Sequence, residues 1–291
     1  MRFLSTLLLL AAPAPALAQL QPTGPIWEKG HASIQVTACP GNIDHDDFCR
    51  GIELRKDGRV QRLGAGYLTV KLLWASRRGS PGPDALVFGD DGGSGGDGDL
   101  FAVTLVPKLT VHKLSGERMD IATVRPGPGP LRLDLAFDIE FFNGASHAGV
   151  TIVPLPVRWA GGDYSADLEA LKAPALTARE MDFRALAIGQ ELQRWKEDVY
   201  PADRLYPPEA IAHGTPVVVQ ALAESILAGH ADQARQLLRR AWPRRSDRYD
   251  LAMEGEDAFW AALCRAIVNH PLWKRFDLGH LPHSDMLVPA N

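Results

Sequence analysis

The chain has 291 residues, 46% of them hydrophobic and 23% charged, which excludes disorder along its whole length and leaves room for one large domain or two ordinary ones. Its formal net charge of −4 is too small for an acidic tail or for bulk nucleic-acid binding, so no nucleic acid is expected as a partner.

At the amino terminus Arg2 precedes an apolar run from Leu4 to Ala12, and Ala16-Leu17-Ala18 then places small residues at the spacing of a signal-peptidase site. Residues 1–18 are therefore expected to be a signal peptide, cleaved near Ala18-Gln19, and the mature chain to be periplasmic or secreted. The run is too short to span a bilayer comfortably and no stop-transfer segment follows, so no transmembrane segment is expected in the mature chain. No Cys follows the cleavage point, which argues against a lipid anchor. Cys39 and Cys49 flank a short stretch rich in turn formers and acids; in an oxidising compartment they are expected to form a disulfide. Cys264, in an apolar helical pattern, reads as a small buried hydrophobe.

From residue 19 to about 162 the signals are those of strands. Lys56-Asp57-Gly58-Arg59 separates two short alternating runs, and Asp-Gly at that place is a hairpin turn signal, because both central residues tolerate positive φ. Apolar runs follow at Tyr67–Trp74, Ala85–Phe88, Leu100–Val106 and Leu109–Leu114. Leu131, Leu133, Leu135, Phe137, Ile139 and Phe141 then alternate with Arg132, Asp134, Ala136, Asp138 and Glu140, so one face of a long strand is apolar and the other acidic. Val150–Trp159 runs back as its partner, and Pro154 and Pro156 predict an edge or bulged strand there. Glycine-rich and proline-rich connectors between such strands point to an antiparallel sandwich or a barrel.

After Gly161-Gly162 the pattern becomes helical. Asp163–Ala173 predicts a short helix. A longer one is expected from Thr177, capped by Thr177 with Glu180 and burying Phe183, Leu186, Ile188, Leu192 and Trp195. Val217–Ala228, Ala231–Trp242 and Asp257–His270 complete a C-terminal unit over 163–291. Gly229, Ala234, Leu238 and Ala241 resemble the spacing of a single tetratricopeptide unit, but one unit does not make a solenoid. The expected fold class is α+β: an N-terminal antiparallel sandwich or barrel-like part with a small helical unit packed against it.

Three charged clusters and one histidine pattern bear on function. Phe88–Leu100 carries Asp90, Asp91, Asp97 and Asp99 among glycines. Carboxylates on a flexible loop suit a hard cation, so Ca2+ is the one candidate beside the expectation of no cofactor; the alternative reading is a mobile hairpin loop kept soluble by its acids. Gly92-Gly93-Ser94-Gly95-Gly96-Asp97 resembles the glycine-rich calcium repeat, although Asp99 replaces its apolar residue and only one copy is present. Gly89-Asp90-Asp91-Gly92-Gly93 resembles the nucleophile segment of trypsin-like proteases, with Asp91 in the nucleophile's place, which excludes that chemistry. Asp44-His45-Asp46-Asp47 is a second acidic cluster, and His280, His283 and Asp285 a weak metal pattern broken by Pro282. The third is basic: Arg235, Arg239, Arg240, Arg244, Arg245 and Arg248 crowd one stretch, either as a solvated face or as a docking surface for an anionic envelope component or an acidic protein surface.

No nucleophile motif is present. The expectation is an exported, non-catalytic binding or interaction protein. The alternatives are an envelope hydrolase using a carboxylate-bound metal in Gly89–Asp99 and an assembly adaptor docking through the arginine face.

Overall fold

A computed structural model describes residues 23–39, 49–76, 81–92, 95–116, 118–119, 122–125, 129–139, 150–198, 211–243 and 255–287, without the side chains of 194–198 and 211–215. The expected signal peptide, the Asp44–Asp47 cluster, Glu140, Phe141, Arg244, Arg245, Arg248 and the Trp195 side chain lie outside the described residues. The fold is α+β. Twelve described strands form three open antiparallel sheets, and the helices follow them in the chain.

Each sheet is a meander of consecutive hairpins. The first contains β1 (Gly24–Lys29), β2 (Ala32–Ala38), β3 (Arg50–Lys56) and β4 (Arg59–Tyr67), adjacent in that order. The second contains β5 (Thr69–Ala75), β6 (Ala85–Gly92), β7 (Asp97–Thr104) and β8 (Thr110–Gly116). The third contains β9 (Thr123–Arg125), β10 (Arg132–Ile139), β11 (Thr151–Ala160) and β12 (Asp163–Ala166). Asp57 and Gly58 both take positive φ, +50° and +76°, as a two-residue hairpin turn requires. Cys39 continues β2 and Cys49 leads into β3. Ala38 faces Arg50 across that ladder, so the two cysteines stand at disulfide distance with Cα atoms 5.5 Å apart.

The two inner strands of the second sheet, β6 and β7, are buried on both faces over much of their length. Ala85 to Phe88 and Leu100 to Val103 are all at most 1% exposed, so these strands read as continuous apolar runs instead of alternating. Val87, Phe101 and Val103 share a core with Ile34, Val36, Ile52 and Leu54 of the first sheet. Leu86, Phe88, Leu100 and Ala102 join Leu133, Leu135, Phe137, Val153, Leu155 and Val157 of the third sheet, and the helices, in a second and larger core. The expected sandwich is thus built from open sheets, with the second sheet contributing to two cores. Burial of each large side chain there contributes about 1.5–3 kcal/mol.

Several local expectations change. Asp163–Ala173 is not one helix: Gly161 (φ +61°) and Gly162 (φ +89°) form a turn, β12 pairs with β11, and only Leu168–Leu171 (α1) is helical. Two glycines at positive φ make a hairpin turn as readily as a linker. β11 is internal to its sheet. However, β12 reaches only Val157–Ala160, so Pro154 and Pro156 occupy the stretch where no strand seeks their missing N–H. The second face of β10 is not wet throughout: Ala136 and Asp138 are buried there.

The longest helix, α2 (Ala178–Asp198), starts with the expected capping box. The Glu180 N–H donates to Thr177 Oγ1 at 3.3 Å, and the Thr177 N–H donates to Glu180 Oε2 at 2.8 Å. Its buried stripe is Met181, Ala185, Ile188 and Leu192, while Phe183 and Leu186 are 74% and 63% exposed. The true stripe follows the i, i+4, i+7, i+11 spacing, and Phe183 and Leu186 fall on the other side. α2 packs against α3 (Ile211–Leu227) and α4 (Ala231–Ala241). α5 (Glu256–Asn269) and the short α6 (Pro271–Arg275) close the helical part. Among the described residues, no helix is long and apolar enough to cross a membrane.

Candidate functional site

The glycine-rich acidic segment is less of a loop than its composition suggests. β6 and β7 extend into it, with Gly89 facing Asp99, Asp90 facing Gly98 and Gly92 facing Asp97. Asp91 is the extra residue where the register shifts between Asp90 and Gly92, and Gly92 takes φ +81°. Such a bulge re-aims the side chain it carries. Gly98 is required for closeness: a Cβ there would lie 2.5 Å from both the Gly89 carbonyl oxygen and the Phe88 ring. The carboxylates are therefore carried on a paired ladder, not on a chain free to wrap an ion.

Asp91, Asp97 and Asp99 line one cleft of about 560 Å³. Its other walls come from distant parts of the chain: Ser115, Gly116 and Met119, Asp138 and Ile139 at the end of β10, and Ala266, His270, Pro271 and Leu272 at the α5–α6 junction. Asp90 does not line it; its carboxylate accepts from Thr69 Oγ1 at 3.2 Å and from the Gly92 N–H at 2.9 Å. Three of the four expected acids thus share a site, and a fourth carboxylate, Asp138, joins them from a strand far away in sequence.

The electrostatics divide these acids. Burial pushes the Asp99 carboxyl up, but hydrogen bonds from Lys113, Ser115 and Tyr67 outweigh it and hold Asp99 below the usual range. Lys113 Nζ lies 2.8 Å from Asp99 Oδ2. The Tyr67 hydroxyl donates to that carboxylate, and its own ionisation is driven upward by burial and then by Asp99. Asp91 moves the other way: desolvation, then the neighbouring Asp97 charge, raises it. Asp97 Oδ1 is buried and has no hydrogen-bond partner among the described residues. Asp99 is thus neutralised internally, while Asp91 and Asp97 have no cationic partner among the described residues.

His270 and Asp138 belong to no site pattern in the sequence: one ends a helical run and the other sits on an acidic strand face. In the fold His270 Nε2 lies 3.1 Å from Asp138 Oδ1, and Asp138 is only 5% exposed. His270 Nδ1 accepts from the Leu272 N–H at 3.1 Å, capping α6. That acceptor role sets the tautomer, so Nε2 carries the proton and donates it to Asp138. The ring also packs on Phe137, with centroids 4.0 Å apart. Both ring nitrogens are occupied, which leaves His270 to orient Asp138 and not to act as a general base. Ser115 is likewise engaged with Asp99. No local spacing announces a pair separated by 132 residues.

Among the described residues, no group of three or more His, Cys, Asp or Glu side chains stands where it would hold a metal ion. His280 pairs with Asp277 at 3.0 Å, and His283 lies 3.9 Å from Asp232. The described members of the arginine cluster, Arg235, Arg239 and Arg240, are paired inside the molecule. Arg235, expected on a surface, is 6% exposed: it lies 2.6 Å from Glu256 Oε1, pairs with Asp257 and stacks on the Trp260 ring at 5.3 Å. Arg239 lies 3.7 Å from Glu256 Oε1, and Arg240 lies 2.6 Å from Asp182 Oδ1. These contacts tie α4 to α5 and α2, a role that the run of positive charge does not specify.

No known protein family, no curated protein and no solved structure matches this chain.

Proposed function

We propose that the protein is an exported binding protein whose cleft takes a small organic cation, an ammonium or guanidinium group carried on an apolar body. The observation that carries this reading is the meeting of Asp91, Asp97, Asp99 and Asp138 with Met119, Ile139 and Leu272 around one cleft of about 560 Å³. That volume lies within the range of about 300–1,000 Å³ usual for small-molecule sites. A cation would satisfy the Asp97 oxygen left unpartnered among the described residues and offset the Asp97 repulsion that adds to desolvation in raising Asp91, while the apolar wall would cover its hydrocarbon part. The engagement of His270 and Ser115 in internal hydrogen bonds favours binding over catalysis. Export rests on the pattern of residues 1–18.

The test is calorimetric titration with hexylammonium and with hexanoate, which share an apolar body and differ in the sign of their charge. The expected result is saturable binding of hexylammonium alone, weakened in Asp97→Asn. Equal binding of both ions, or of neither, overturns the reading; saturable binding of calcium that excludes hexylammonium transfers the site to the metal alternative.

A further inference from the structure

The β3–β4 hairpin offers a second surface, independent of the cleft. Its two-residue turn makes Lys56 and Arg59 the closing pair, followed by Arg55 opposite Val60, Leu54 opposite Gln61 and Glu53 opposite Arg62. In such a hairpin the closing pair exchanges its backbone hydrogen bonds and alternate pairs do not. The N–H and C=O groups of Val60 and Arg62 therefore point away from β3. β4 is the last strand of its sheet, and no further strand among the described residues meets them. Arg59 to Arg62 are all exposed, and Val60 is 57% exposed, unusual for a β-branched residue in a strand. A groove of about 610 Å³ runs beside them, lined by Leu54, Val60 and Leu109 with Lys56, Arg59, Gln61 and the turn residue Asp57.

The charge on this edge is one-sided. Lys56, Arg55, Arg59 and Arg62 face only Glu53 and Asp57 in the same stretch. Arg59 has no side-chain partner among the described residues. Glu53 is shared between Arg55 at 3.2 Å and Arg62 at 4.0 Å. A second copy of β4 would set like charges opposite one another, which is destabilising. We infer that β4 is a strand-addition site for an extended segment of another protein that alternates acidic and apolar residues. Backbone bonds to Val60 and Arg62 supply the affinity, the groove takes the apolar side chains, and the arginines select the acids.

The probe is a capped nonapeptide alternating glutamate and valine, with a lysine–valine peptide as its counterpart, titrated against the mature chain and followed by amide hydrogen exchange. The acidic peptide is expected to bind and to protect the Val60 and Arg62 amides, while the basic one does not. Val60→Pro removes an outward N–H without touching the β3 ladder, and is expected to weaken binding about tenfold or more. The double change Arg59→Glu with Arg62→Glu keeps every backbone group and should reverse the preference between the peptides. Failure of the acidic peptide to bind overturns the inference, as does binding without protection of β4, indifference to the charge reversal, or a β4 edge already protected in a homodimer.

Discussion

Arg235→Ala is the sharpest test of how the arginine cluster is used. The guanidinium is 6% exposed and stacks on Trp260 at 5.3 Å, and loss of that contact costs about 0.5–2 kcal/mol. Its ion pair with Glu256 at 2.6 Å leaves behind an acid only 23% exposed, and losing a hydrogen bond to a charged group costs about 1.5–3 kcal/mol. Asp257 is 93% exposed, so water replaces its partner at little cost. Together these give a loss on the order of 3 kcal/mol, at the lower end for breaking a buried pair because both acids keep some water. The corresponding fall in melting temperature is about 5 °C for a chain of this size. Arg239→Ala is the control: 62% exposed and 3.7 Å from Glu256, it should cost less than about 0.5 kcal/mol. Urea unfolding of both variants, with m-values compared, supplies the measurement. Equal and small losses for the two would mean that Arg235 is not a structural tie between α4 and α5, and would refute the reasoning.

Three further outcomes are expected. The raised Asp91 carboxyl favours the protonated form in the folded state, so its contribution to stability falls as pH rises from 3.8 through the raised value. Asp97→Asn should flatten that fall and stabilise the free protein slightly at neutral pH while weakening ammonium binding; a steeper fall in pH-dependent melting would contradict it. Burial pushes the Cys264 thiol up to about 12, so native protein should resist iodoacetamide at neutral pH, and mass mapping should place any disulfide on Cys39 and Cys49. Protein recovered from a native host should begin at or near Gln19; intact Met1 in the cytosolic fraction would end the export proposal.

Patterns of neighbouring residues were legible because their physics is local. Asp57-Gly58 announced its turn through the two positive φ values it adopts, and Thr177 with Glu180 announced a cap that needs only four residues to form. Cys39 and Cys49 could be paired because they are close in sequence and an oxidising compartment was expected. The α+β class followed from where period-two alternation gives way to helical spacing. The stripe on α2 was misread because its apolar residues occupy both sides of the helix, and composition does not say which side meets a neighbour. The Gly89–Asp99 segment was read as a loop because glycine and aspartate disfavour strands, yet pairing of β6 with β7 outweighed that preference.

The cleft itself belongs to the tertiary structure. Sequence singled out Asp91, Asp97 and Asp99 by their density along the chain, but nothing local connects them to Asp138 or connects Asp138 to His270. Nor does a run of arginines reveal that Arg235 is buried against Trp260 while Arg239 stays wet. Such choices depend on which surfaces meet when sheets and helices pack, and that free energy is summed over contacts between residues far apart in the chain. Local propensity determined the elements; long-range burial decided which charges were neutralised inside the protein and which were left facing an open cleft.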